Sequence, residues 1–130
     1  MKVLVCGGRT YGLNKEERDK IYNVLYEQLC PLPSDDGLDG SWLPPHDLHI
    51  IAGGASGVDT VAIDWAIVNW VHFTEVRADW TKYKKAAGYI RNAEMLKLNP
   101  DLVIAFPGGK GTANMIGLAE IAGVKVIKIT

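Results

Sequence analysis

The stretch Val103-Ile104-Ala105-Phe106-Pro107-Gly108-Gly109-Lys110-Gly111-Thr112 passes from an apolar segment through a proline and three glycines into a helical pattern. Two earlier stretches repeat this design: Val3-Leu4-Val5-Cys6-Gly7-Gly8 and Ile50-Ile51-Ala52-Gly53-Gly54-Ala55-Ser56-Gly57. A strand that ends in a bare turn and hands over to a helix is the repeating unit of an α/β protein. In a parallel sheet all such turns fall on one edge, where backbone N–H groups and helix N-termini hold anions. The repetition predicts an α/β, Rossmann-like doubly wound parallel sheet of about five strands with helices on both faces. It also points to a ligand that carries phosphate.

Working outward from these turns, residues 2–6 form the first strand. Asn14 can cap a helix over 15–29, with Ile21, Val24, Leu25 and Leu29 at helical spacing and Lys15, Glu16, Glu17, Arg18 and Lys20 facing water. Residues 30–47 hold four of the six prolines, so a loop is expected there, with Trp42 as its possible anchor. Leu48 to Ala52 is the second strand. Ser56 and Asp59 have the spacing of a capping box that opens a helix running to about Val71.

That helix is apolar nearly all round, from Val58 and Val61 through Trp65 to Trp70 and Val71. One sheet hides only one stripe of a helix, so a homo-oligomer using the surface at 58–71 is expected. Phe73 to Arg77 reads as a strand, and Lys82 to Leu98 as a helix with Gly88 as its weak point and Asn99-Pro100 as its stop. Leu102 to Phe106 is the fourth strand. A helix over Thr112–Ala122 closes at Gly123, and Lys125 to Ile129 supplies the last strand.

The 130 residues, 48% of them hydrophobic, suit a single domain with a real core. With 14 Lys and Arg against 15 Asp and Glu, the formal charge of -1 argues against a protein that coats nucleic acid. A small-molecule partner fits better. Cys6 and Cys30 lack zinc or disulfide-framework spacing and are expected as buried thiols. His46, His49 and His72 form no ligand pair, so no metal is expected; no resident cofactor is expected either. No apolar run reads as a signal or membrane span, and the expected location is cytoplasmic.

At the third turn, Gly108, Gly109 and Gly111 let the backbone approach a ligand, Thr112 adds a hydroxyl and Lys110 a charge. No acid follows until Glu120, which leaves the helix's positive end free for an anion. The P-loop and dinucleotide signatures are both absent, which excludes a routine ATPase or dehydrogenase. Ser56 and Asp59 can serve as caps, as ligand contacts, or as both. From Ala78 to Met95, Lys82, Lys84, Lys85 and Arg91 stand beside Trp80, Tyr83 and Tyr89, a mixture able to stack on a base and pair with phosphate. Lys82 and Lys84 read as a solvated face, and Arg91 as a ligand contact.

Five motifs occur in order: Gly7-Gly8-Arg9; Gly53-Gly54-Ala55-Ser56-Gly57-Val58-Asp59; Ala78-Asp79-Trp80 with Lys85-Ala86-Ala87-Gly88; Arg91-Asn92-Ala93-Glu94-Met95; and Asp101-Leu102-Val103 through Thr112. Together they resemble the YspA-type branch of the SLOG superfamily over nearly the whole chain outside 30–47. That superfamily is Rossmann-like and includes nucleotide-ligand sensors, the single-strand-binding DNA-processing protein A family and the lonely-guy phosphoribohydrolases. The resemblance implies phosphate binding at Gly108, Gly109, Gly111 and Thr112 and an arginine contact at Arg91. The candidate ligand-binding set also takes in Gly7, Gly8 and Arg9, Gly53, Gly54, Ala55, Ser56, Gly57 and Asp59, Lys85, Asn92, Pro107 and Lys110, with Trp80 or Tyr11 against a base.

The hydrolase pattern has a glutamate at the third position after the threonine, and this chain has Met115. A thioether cannot stabilise the positive charge that develops on ribose as an N-glycosidic bond breaks. Two readings follow: a protein that senses or sequesters a nucleotide or ADP-ribose-like molecule, and an N-glycoside hydrolase or transferase on nucleoside phosphates with Asp79 or Glu94 as its acid. Single-stranded nucleic-acid binding is a third and weaker reading.

Overall fold

The computed structural model describes residues 1–30 and 44–130. The loop expected over 30–47, with its anchor at Trp42, falls mostly outside the described residues. Five parallel strands, β1 (Lys2–Cys6), β2 (His49–Ala52), β3 (His72–Glu75), β4 (Leu102–Ala105) and β5 (Lys125–Lys128), form one sheet in the order β3-β2-β1-β4-β5. The helices are α1 (Lys15–Leu29), α2 (Val58–Val68), the single turn α3 (Trp80–Tyr83), α4 (Ala87–Leu96) and α5 (Lys110–Ile121).

The centre of the sheet is apolar on both sides because both sides are covered. Val3, Val5, Ile50 and Ile104 face α1 and α2, where Ile21, Leu25 and Trp65 complete one buried layer. Leu4, Cys6, Ile51, Val103 and Ala105 point the other way, onto Met95 of α4 and Met115 and Ala119 of α5. The chain winds outward from β1 in both directions, so the order reverses between β1 and β4. In an open parallel sheet the crevice at that reversal, beyond the carboxyl ends of the strands, is where ligands bind.

The helix ends explain where the structure departs from the expected boundaries. Asn14 caps α1 as anticipated, its side chain accepting the Glu17 N–H at 2.8 Å. α5 closes on Gly123 at φ 78°, with the Val124 N–H reaching back to the Ala119 carbonyl at 2.9 Å. α2 ends in the same way but earlier than Val71: the Val71 N–H bonds the Ala66 carbonyl at 2.8 Å, and Trp70 takes the left-handed position at φ 57°. The long helix expected over 82–98 is interrupted at Lys84, at φ 53°, with a short 3-10 turn over Lys84–Ala86, and Gly88 lies inside α4. α5 starts two residues early because Gly109 takes the N-cap position.

On α2, Val58, Val61, Ala62, Trp65 and Ala66 are buried within the chain. Ile67 and Val68 are more than half exposed, and Trp70 is 96% exposed. Among the described residues no helix is long and apolar enough to cross a membrane.

Candidate ligand cleft at the carboxyl edge of the sheet

The turns after β1, β2 and β4 meet at Gly8. Its N–H donates to the Pro107 carbonyl at 2.8 Å, and its own carbonyl accepts the N–H groups of Val58 and Tyr11, each at 3.3 Å. Close approach requires bare backbone. A Cβ on Gly57, which sits at φ 78°, would run into the Gly8 carbonyl and the Arg9 backbone, and one on Gly108 would strike the Thr112 hydroxyl. Beside this junction opens a cleft of about 620 Å³ between the ends of β1 and β4.

One wall is the start of α5. No side chain caps its Gly109 N-cap and no acid lies in its first turn, so the N–H groups of Lys110, Gly111 and Thr112 have no partner from within the helix. A Cβ on Gly109 or Gly111 would meet nothing within 4 Å, so these glycines are bare toward open space.

The opposite wall comes from α4 and the turn before it. The Arg91 guanidinium donates to the Gly53 carbonyl at 2.7 Å and to Asn92 Oδ1 at 3.2 Å. Asn92, 4% exposed, donates in turn to the Gly111 carbonyl at 3.1 Å and to Asn114 at 3.0 Å, fixing α4 against the first turns of α5. At the rim, the Arg9 guanidinium lies 4.9 Å over the Trp80 ring, and Tyr11 stacks on Phe106.

Asp59 supplies a buried negative charge. It is 6% exposed, its Oδ2 accepts the Ala55 N–H at 3.1 Å, and burial pushes its carboxyl up to about 6. The Ala55 N–H, Arg91 and Arg9 pull the other way, and Glu75 adds to the rise. The same burial lowers the Arg91 guanidinium from its ordinary value. Cys6 lies in the floor, where desolvation, reinforced by Asp59, raises its thiol to about 12. It is an inert thiol at neutral pH. Cys6 and Cys30 are both buried and free.

Of the residues singled out in the sequence, Gly7, Gly8, Arg9, Tyr11, Ala55, Asp59, Trp80, Lys85, Arg91, Asn92 and the whole of Pro107–Thr112 line this cleft. Gly53, Gly54 and Ser56 line an adjoining hollow of about 290 Å³ that shares Arg9, Ala55, Trp80 and Arg91 with it. Gly57 lines neither and packs beneath the Gly8 turn.

The capping box forms only in part. Asp59 reaches back to the Ala55 N–H, but the Ser56 hydroxyl donates to the Arg9 carbonyl at 3.0 Å and leaves α2 without a side-chain cap. Asp79 accepts the Lys82 N–H at 3.0 Å as the cap of α3, and Glu94 is exposed on α4; neither lines the cleft.

Cys6, Thr10, Glu17, Gly88, Tyr89 and Met95 also line the cleft, and of these only Tyr89 is picked out in reading the sequence, as a ring able to stack on a base. For three of them a signal exists: Lys85, Gly88 and Tyr89, Asn92 and Met95 recur every three or four residues, so extending the helical face that carries Asn92 reaches them. Glu17 offers none, since its carboxylate enters through a bond from the Gly12 N–H at 3.0 Å. Among the described residues no group of three or more His, Cys, Asp or Glu could hold a metal ion.

No family model matches the chain. The X-ray structure of DNA processing protein A from Streptococcus pneumoniae aligns with 97% of it at 18% identity and a TM-score of 0.47, and the chain spans 58% of that protein's length. The Gene 61 protein of Mycobacterium phage D29 is 30% identical over 137 aligned residues, covering 97% of this chain and 94% of the phage protein. An alignment of that identity, end to end on both sides, shows that the chain belongs to the family of the phage D29 Gene 61 protein.

Proposed function

We propose that the cleft binds a nucleotide-derived ligand, its phosphate seated on the first-turn N–H groups of α5 and its base against the aromatic rim. The observation that carries this reading is the state of the α5 N-terminus: uncapped, free of acids, bare at Gly109 and Gly111, and opening onto a cleft at the point where the strand order reverses. Arg9, Lys85, Arg91 and Lys110 bias the cleft positive, while Trp80, Tyr89 and Tyr11 offer ring faces. The motif resemblance to the YspA-type branch of the SLOG superfamily supports the same reading. The formal charge of -1 supports a small nucleotide over a nucleic-acid strand.

The test is calorimetric titration with the four ribonucleoside 5′-monophosphates and with ADP-ribose, on the parent and on a Gly109→Ala/Gly111→Ala double variant. The parent is expected to bind at least one of them. The variant is expected to lose that binding without losing its melting temperature, because both new methyl groups enter space that only the phosphate needs. No binding by the parent to any of the five overturns the reading.

Hydrolysis of the N-glycosidic bond is the second reading, and one observation favours it: a buried carboxylate, Asp59, lines the cleft and carries a proton more readily than an ordinary aspartate. Incubation with each monophosphate followed by chromatography for free base tests it, and the absence of base from all four rejects it.

A further inference from the structure

We propose that Asp59 reads the ribose hydroxyls of the ligand, so that the cleft selects ribonucleotides over nucleotides that lack them. This deepens the nucleotide reading and rests on it. Only one of the two carboxylate oxygens is used inside the protein: Oδ2 takes the Ala55 N–H, while Oδ1 accepts from no donor among the described residues. Asp59 is 6% exposed and lines the cleft, and its unpaired Oδ1 is not sealed from solvent, so the spare oxygen has access to the space a ligand would fill. Arg91 and Arg9 influence it electrostatically, but neither approaches within ion-pairing distance. A buried carboxylate with a spare oxygen calls for a donor that brings hydrogens and no negative charge.

A phosphate is repelled there, and a sugar hydroxyl meets the requirement. Position argues for the sugar over the base. Asp59 stands in the first turn of α2, which packs under Gly8, and the far side of Gly8 touches Pro107 at the phosphate-binding turn. The aromatic rings that would take a base lie at the rim. Asp59 thus lines the same cleft as the anion site while lying deeper than the exposed rings, a placement that suits the sugar between phosphate and base.

The experiment compares each ribonucleoside 5′-monophosphate with its 2′,3′-dideoxy counterpart on the parent protein, then repeats the pair that binds on Asp59→Ala and Asp59→Asn, with melting curves to show that each variant is folded. The parent is expected to prefer the ribonucleotide by about tenfold or more, as for the loss of a hydrogen bond to a charged acceptor. That preference is expected to vanish in Asp59→Ala and to shrink in Asp59→Asn. Equal binding of the two sugars by the parent overturns this inference and leaves the nucleotide reading standing. A preference that survives in Asp59→Ala, or one that follows the base and ignores the hydroxyls, overturns it as well. No binding of any monophosphate in either sugar form overturns this inference, and the nucleotide reading falls with it only when ADP-ribose also fails to bind. The comparison on the parent needs no variant, so a variant that fails to fold does not remove the test.

Discussion

The turn after β2 and the turn after β4 are both glycine-rich, both lead into helices and both lie on the same edge of the sheet, yet they are built for different ends. After β2 the chain satisfies itself: the Val58 N–H goes to the Gly8 carbonyl, the Ala55 N–H to Asp59, and the Ser56 hydroxyl to the Arg9 carbonyl. After β4 the first-turn N–H groups of α5 have no partner within the helix, and two of its glycines face open space. Glycine serves close packing in one turn and access in the other. What separates them is where the acid sits, because Asp59 occupies the first turn of α2 and nothing occupies that of α5.

The contrast breaks most readily at Gly57. Gly57→Ala combines a left-handed backbone with a collision against the Gly8 carbonyl, and thermal or urea unfolding is expected to show a loss of roughly 2–4 kcal/mol. Unchanged stability would mean that this turn is not held by packing.

Asp59→Asn comes next, with the opposite sign. In the folded chain the carboxyl titrates at about 6, above its ordinary 3.8, so the folded state holds the proton more tightly. The stability this group contributes is complete below about 4 and is lost as the pH rises through 6. At pH 7.5 the Asn variant is expected to be more stable than the parent by roughly 1–3 kcal/mol, and the gain should fade as the pH is lowered to 4. A gain that persists at pH 4 would assign the effect to something other than charge burial.

In the open turn, Gly111→Ala is expected to raise stability slightly, by about 0.5 kcal/mol, since a helical glycine is replaced and its methyl meets no atom. A destabilised Gly111→Ala would erase the distinction between the turns. The smallest effect belongs to Arg9→Ala, which removes the stack on Trp80 at the boundary of cleft and hollow and is expected to cost about 0.5 kcal/mol.

The fold was legible because its signals are local. Continuous apolar runs such as Leu102–Ala105 mark strands buried on both faces, glycine marks their ends, and Asn14 and Gly123 mark helix termini by side-chain and backbone chemistry that needs no partner. The break at Lys84 and the early end of α2 at Trp70 were not legible, since both place a large residue where glycine is favoured and only tertiary packing decides that. In the cleft, the glycine turns and Arg91 could be picked out as types. That Arg91 is bound to the Gly53 carbonyl, and that Asp59 keeps one oxygen free, are facts of three-dimensional arrangement with no trace in spacing.

The placement of the indoles carries a practical consequence. Trp65 is enclosed against Tyr26, Trp70 stands in water, and Trp80 guards the mouth of the cleft beneath a guanidinium. In a Trp42→Phe background, iodide should therefore quench the emission of Trp70 first and leave that of Trp65 untouched. Whatever then alters the emission of Trp80 reports on the ligand site, so the chain carries its own optical probe.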